Sequence, residues 1–144
     1  GIPATWADAD LFRKNGYTVS EKGSLDDNVS RLLAQKIDYI TLGVNEIESI
    51  LEQLGDFKKE LLIEPNMLIY YPLPLVFYVH PDKMQLANIL ESGLQTAIAN
   101  GKHAALFEMH HPNIVDRLAL KTRKTLQLTN PYLPDSLKHF QAML

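Results

Sequence analysis

The chain has 144 residues, no cysteine, 46% hydrophobic and 22% charged residues, and a net charge of -3. That length fits one domain with a sizeable core, and the charge balance offers no basic surface for nucleic acid. The lack of cysteine excludes disulfides, cysteine metal ligands and a thiol nucleophile, and no apolar run reaches the roughly 18 to 20 residues of a membrane span.

In chain order, Thr5 with Asp8 makes a capping-box-like start for a helix over residues 6 to 14, which stops at Asn15-Gly16. "GYTVSE" (16 to 21) has the composition of a short strand. Ser24 and Asp27 form another capping box, followed by Leu25, Val29, Leu32 and Leu33 on one helical face. Residues 37 to 42 read as a strand ending at Gly43, and Asn45 as the cap of a helix that carries Ile47, Ile50, Leu51 and Leu54 to Gly55. The charged turn "DFKKE" and a short strand at 61 to 63 follow. Alternating strands and helices with short links predict an α/β fold, a mainly parallel sheet flanked by helices.

The second half changes character. Residues 66 to 81 are two strand-like runs split by Pro72 and Pro74, which places them at an edge or a crossing. A helix over 83 to 99 aligns Leu86, Leu90, Leu94 and Ile98 and stops at Asn100-Gly101. Shorter helices are expected at about 102 to 110 and 113 to 120, an extended tail at 124 to 134, and a last helix at 135 to 143. The natural division is residues 1–80, an α/β lobe, and residues 81–144, a helical segment with an extended tail.

Two stretches carry a resemblance. "TWADADLFRKNGYTV" with "LLAQKIDYITLGVNEI", and "LIYYPLPLVFYVHPDKMQLANILESGLQTAIANGKHAALFEMH" with "LTNPYLP", are together similar to the periplasmic solute-binding proteins, including the amino-acid-binding receptors of ABC importers (extracellular family 3). The resemblance covers nearly the whole chain. It implies one lobe of a type II clamp, in which two α/β lobes close on a solute about hinge strands. This chain would be the second lobe with the C-terminal return segment. The first lobe and the strand before Gly1 would be lacking, as in a fragment or a truncated paralogue. Two departures from the family pattern stand out. No acid follows Asp38 where amino-acid-binding members contact the amino group, and no arginine stands near Leu42.

The candidate ligand-binding residues are Thr5, Trp6, Asn45, Glu46 and Tyr71. Thr5 and Trp6 stand at a helix start that suits an anion, and in the family this loop faces the cleft; the structural alternative is a cap with a packed indole. Asn45 and Glu46 have a functional reading as cleft contacts and a structural one as cap and dipole partner. Of Tyr70 and Tyr71, neighbours on a strand, one faces the cleft and the other the core. His103 and His110 are about 10 Å apart along a helix, too far for one metal. No G-x-S-x-G, P-loop or H-E-x-x-H motif is present.

The resemblance therefore implies a non-enzymatic, periplasmic binding module without metal or cofactor. Its partners would be a small polar solute of an amino-acid-like kind and a membrane permease or sensor, with no nucleic acid. The alternative is a clamp-derived interaction domain that binds no small solute. In either case an incomplete sheet and uncovered apolar surface predict a homo-oligomer formed through exposed edges.

Overall fold

The structure, a computed structural model, describes residues 1–137. It mixes helix and sheet: α1 (Asp8–Lys14), α2 (Leu25–Leu33), α3 (Ile47–Gln53), β1 (Met67–Tyr70), α4 (Met84–Ala99), α5 (Lys102–His110), α6 (Ile114–Arg117) and β2 (Lys124–Gln127). Single 3-10 segments lie at Gly55–Glu60, Pro81–Lys83, Leu120–Thr122 and Asp135–Leu137. The regular sheet among the described residues is one parallel pair, β1 with β2, in the register Met67–Lys124 to Tyr70–Gln127. The expected α/β character therefore holds only coarsely, because the sheet is much smaller than the sequence predicts.

Helix positions follow the sequence closely. The Ser24 box forms: the Asp27 N–H donates to Ser24 Oγ (3.1 Å), and the Ser24 N–H donates to Asp27 Oδ2 (2.8 Å). The 83–99 and 102–110 helices appear as α4 and α5, and the 113–120 helix shortens to α6 and a 3-10 turn. The Thr5–Asp8 box does not form. Ala7 takes the cap position of α1 without a side-chain bond, and Thr5 adopts φ 72, turning its N–H to Glu21 Oε1 (3.1 Å). At the start of α3 it is Glu46, not Asn45, that occupies the cap position.

The expected strands fare less well. Residues 16 to 21 contribute one isolated parallel bridge, Glu21 with Ile2. Residues 37 to 42 and 61 to 63 form no ladder; the first stretch meets its neighbour where the Gly1 nitrogen donates to the Tyr39 carbonyl (2.7 Å). The "DFKKE" turn is a 3-10 helix. The first run of 66 to 81 becomes β1, and the second has no strand partner. The extended tail contains β2, whose partner 57 positions earlier in register no local pattern could name. Of the expected last helix, Asp135–Leu137 forms a 3-10 turn and the remainder lies outside the described residues.

Two cores flank β1. Ile2, Ala9, Leu11, Phe12 and Leu128 form the first, with Ile69 and Tyr71 packed against it. Ile114, Leu118 and Leu120 form the second, with Leu68, Val44, Ile47 and Ile63 against it. The alternation is the strand period of two: Ile69 and Tyr71 go one way, Leu68 the other. Burying a side chain such as Phe12 stabilises the fold by roughly 1.5–3 kcal/mol.

Polar ties close the ends. Asn15 Nδ2 donates to Leu11 O and Thr129 O (both 2.8 Å), and its Oδ1 accepts from the Thr129 N–H (3.0 Å), joining α1 to the chain after β2. Arg123 Nε donates to Leu118 O (2.7 Å) and its Nη1 to Met67 O (3.3 Å) and to Glu64 O. Arg117 pairs with Glu48, tying α6 to α3. Asn28 is fully buried and donates to Lys22 O (2.7 Å) and Ser24 O (2.8 Å). Removing that amide orphans the Lys22 carbonyl, while Ser24 O keeps the Asn28 N–H (3.1 Å), so Asn28→Ala is expected to cost about 1–3 kcal/mol. A lower midpoint in urea at unchanged slope measures it; a shift below about 0.5 kcal/mol means that the carbonyl finds water instead.

Candidate functional site

The site gathers at the C-terminal end of β1. Tyr71, the first residue past the strand, swings its hydroxyl onto Asp8 Oδ1 in the first turn of α1, 63 positions away in sequence. Its ring meets Phe12 edge-on, with centroids 5.8 Å apart and an interplanar angle of 84°. Phe12 in turn stands edge-on to Tyr17 at 5.2 Å. Such pairs add to the burial of the rings and fix their orientation, so the Tyr71 hydroxyl is aimed by a rigid aromatic cluster.

Glu46 approaches from a third segment. Its Oε1 accepts the Gly43 N–H at 2.8 Å, folding the Gly43–Glu46 turn on itself ahead of α3. Gly43 suits this turn because a Cβ there would stand 2.8 Å from Asn45 Oδ1 and 3.2 Å from Glu46 Oε1. The opening pair of the turn thus divides: Glu46 is anchored at the helix start, while Asn45 stays exposed.

The electrostatics tie these groups together. The Tyr71 hydroxyl titrates above the ordinary tyrosine value of 10.0, first through burial, then through its bond to Asp8, then through the negative charges of Asp8 and Glu46. Glu46 is therefore within electrostatic reach of Tyr71. Around them the rim is acidic and aromatic. Trp6 is 37% exposed, and Asp10 accepts from Arg13 (3.2 Å) and from the Tyr132 hydroxyl (3.4 Å). Arg13 also donates to Glu21 (2.7 Å). The Arg13 bond, followed by the Thr5 N–H, holds the Glu21 carboxyl below its ordinary value.

Of the residues expected from sequence, Tyr71 is tied to Asp8, Glu46 folds back on the Gly43 N–H, and Trp6 lies two residues before Asp8 on an exposed loop. Thr5 spends its N–H on Glu21, so it serves the loop's shape. Helix α1 has only seven residues, and its first turn already carries Asp8 and Asp10, an arrangement that disfavours an anion. Asp8 was legible only as a local capping partner; its bond to Tyr71 has no local signature. Tyr132 reaches Asp10 across 122 positions and gave no sequence signal either.

Two open surface grooves lie elsewhere, one along α4 by Asn88, Ser92 and Thr96, the other between α5 and α6 by His103, Glu108 and Asp116. Among the described residues no three His, Asp or Glu side chains are grouped to hold a metal, and no helix is long and apolar enough to cross a membrane. Comparison with protein-family models, with curated proteins and with solved structures gave no match.

The Tyr71 environment sets two expectations. Because its folded-state value is raised, the folded chain holds the phenolic proton more tightly than the unfolded chain. That stabilisation is complete below pH 10 and is lost as pH rises above it. Ultraviolet titration should show Tyr71 and Tyr39 resisting ionisation, the Tyr71 contribution lost in Tyr71→Phe and easier to ionise in Glu46→Gln; a Tyr71 contribution unchanged in Glu46→Gln would separate it from that carboxylate. Tyr71→Phe keeps the ring contact and loses the hydroxyl bond, so it should cost about 1–2 kcal/mol in chemical denaturation.

Proposed function

We propose that this chain is one jaw of a solute-binding clamp, and that Trp6, Asp8, Glu46 and Tyr71 hold a small polar solute bearing an amino or ammonium group. One observation carries the reading: β1 delivers Tyr71 to Asp8, so two segments 63 positions apart meet at the end of a parallel strand. That is where open α/β sheets bind ligands. The solute class follows from the chemistry of the rim. Two carboxylates offer acceptors to an ammonium group, and the exposed face of Trp6 can stack on a cation.

The proposed role is non-enzymatic. Closure of the jaw against a second lobe would trap the solute and signal occupancy to a permease or a sensor, in the manner of a periplasmic ABC-importer receptor. A second reading, a clamp-derived interaction domain that binds no small solute, is favoured by a different observation: α4 and α5 bury no residue.

The test is a thermal-shift and calorimetric panel of arginine, lysine and diamines against glutamate and succinate. A cationic amine should stabilise the fold by mass action, about 2.7 kcal/mol at a hundred times its Kd. Asp8→Asn and Glu46→Gln should each weaken it tenfold or more, a loss of about 1.4 kcal/mol. Stabilisation by the anionic solutes alone, or by none of the panel, would reject the solute class.

A further inference from the structure

Two asparagines of this chain precede glycine, in Asn15-Gly16 and Asn100-Gly101. Both close a helix in nearly the same backbone conformation, Asn15 after α1 at φ -93 and ψ 13, Asn100 after α4 at φ -94 and ψ 6. Both glycines are left-handed, at φ 84 and φ 77. Each glycine N–H donates to a carbonyl of the turn before it, Gly16 to Arg13 (3.0 Å) and Gly101 to Ile98 (3.1 Å). The backbone therefore does not distinguish the two pairs. The side chains do. The half-buried Asn15 amide donates to Leu11 O and Thr129 O and accepts from the Thr129 N–H and hydroxyl. The Asn100 side chain is exposed, and among the described residues its one bond is local: Oδ1 accepts the Lys102 N–H (3.1 Å).

We propose that Asn100-Gly101 is a self-modification site, where the asparagine amide is lost spontaneously in the folded chain while Asn15 keeps its own. Asparagine is a labile side chain, and a following glycine sets no Cβ against the approach of its own nitrogen. The Gly101 nitrogen attacks Asn100 Cγ and gives up its proton. The Cγ–Nδ2 bond breaks, ammonia leaves with that proton, and a cyclic imide closes. Water then opens the ring at either carbonyl, leaving an aspartyl or an isoaspartyl residue. To bring nitrogen to Cγ, the peptide after the asparagine must rotate out of its helical setting, and the side-chain amide must be free to turn. At Asn100 this breaks the Gly101 and Lys102 bonds and disturbs no buried side chain, because α4 and α5 bury none. At Asn15 it breaks the Gly16 bond and all four side-chain bonds, next to the buried Leu11 and Phe12. Each bond that must open slows the step. The product places a carboxylate at the C-terminal end of α4, where the helix dipole disfavours it. Its isoaspartyl form also adds a carbon to the backbone of the turn into α5. None of this depends on solute binding.

The test is incubation of the intact chain at mildly alkaline pH, followed by proteolytic mapping and mass spectrometry. Exchange of ammonia for water should appear at Asn100 at least about tenfold faster than at Asn15. An Asn100→Gln chain should lose that product. In concentrated urea the two rates should converge, because only the fold separates the sites. The native and urea rates need no variant, so a misfolded mutant does not affect the outcome. Equal rates in the folded chain, faster loss at Asn15, a rate gap that persists in urea, or an Asn100 amide lost only in urea would overturn the proposal.

Discussion

The parallel pairing of β1 with β2 is the constraint on which the rest depends. A parallel pair cannot close by a tight turn, so the chain between the strands must leave and return. Here that excursion contains α4, α5 and α6, and α6 comes back to fill the second core just before β2 begins. Parallel strands need cover on both faces. β1 meets the need by alternation, with Ile69 and Tyr71 against the α1 core and Leu68 against the α6 core. Leu128, directly after β2, completes the first core, so the two strands join both layers.

The site inherits its geometry from that strand. Tyr71 is fixed because its ring is part of the first core while its hydroxyl emerges at the edge. Asp8 is fixed because it opens α1 on the face of Leu11 and Phe12, three and four positions on, so the burial of that face carries its carboxylate to Tyr71. Glu46 is held by the Gly43 turn, and α3 behind it packs Ile47 against the second core and pairs Glu48 with Arg117. Each of the three polar groups therefore sits on an element whose apolar side is anchored elsewhere. Such support is what keeps a recognition group in place without the ligand. The cost is electrostatic: burial first, and then the bond to Asp8, make the Tyr71 phenolate unfavourable, so the hydroxyl keeps its proton.

Local information was legible in the sequence and long-range pairing was not. The Ser24 box, the Asn100-Gly101 stop and the apolar spacing of residues 84 to 99 depend on neighbours a turn apart, and those elements stand where the spacing puts them. Gly101 takes the positive φ of 77 that the stop requires. The strand compositions at 16 to 21 and 37 to 42 were equally local, but a ladder needs a partner in register, and among the described residues Ile2 gives the first an isolated bridge and Gly1 gives the second one bond. Thr5 failed as a cap because Glu21, sixteen residues on, outcompetes the local box for its backbone. The Tyr71–Asp8 contact, central to the site, joins two residues whose local roles were a strand end and a helix start. Sequence spacing could place each of them without showing that they meet.

Site and helix pair are linked by the chain itself. From Tyr71 the backbone runs through Pro72 and Pro74, and the Pro72 carbonyl accepts from Asn130 Nδ2 at 3.0 Å. Beyond that tie Leu75 and Tyr78 are almost fully exposed, and the segment enters α4 through the turn at Pro81–Lys83. Proline restricts both itself and the residue before it, so this connection transmits position better than a glycine linker of the same length. At the far end the Lys83 N–H donates to the His80 carbonyl (2.8 Å) in the turn that opens α4. The near end is already pinned by Asn130 and by the Tyr71 ring. Ordering between two fixed points costs less entropy than ordering a free end. The tie at Pro72 and the turn at Pro81–Lys83 therefore hold the segment at both ends, while Leu75 and Tyr78 between them stay exposed.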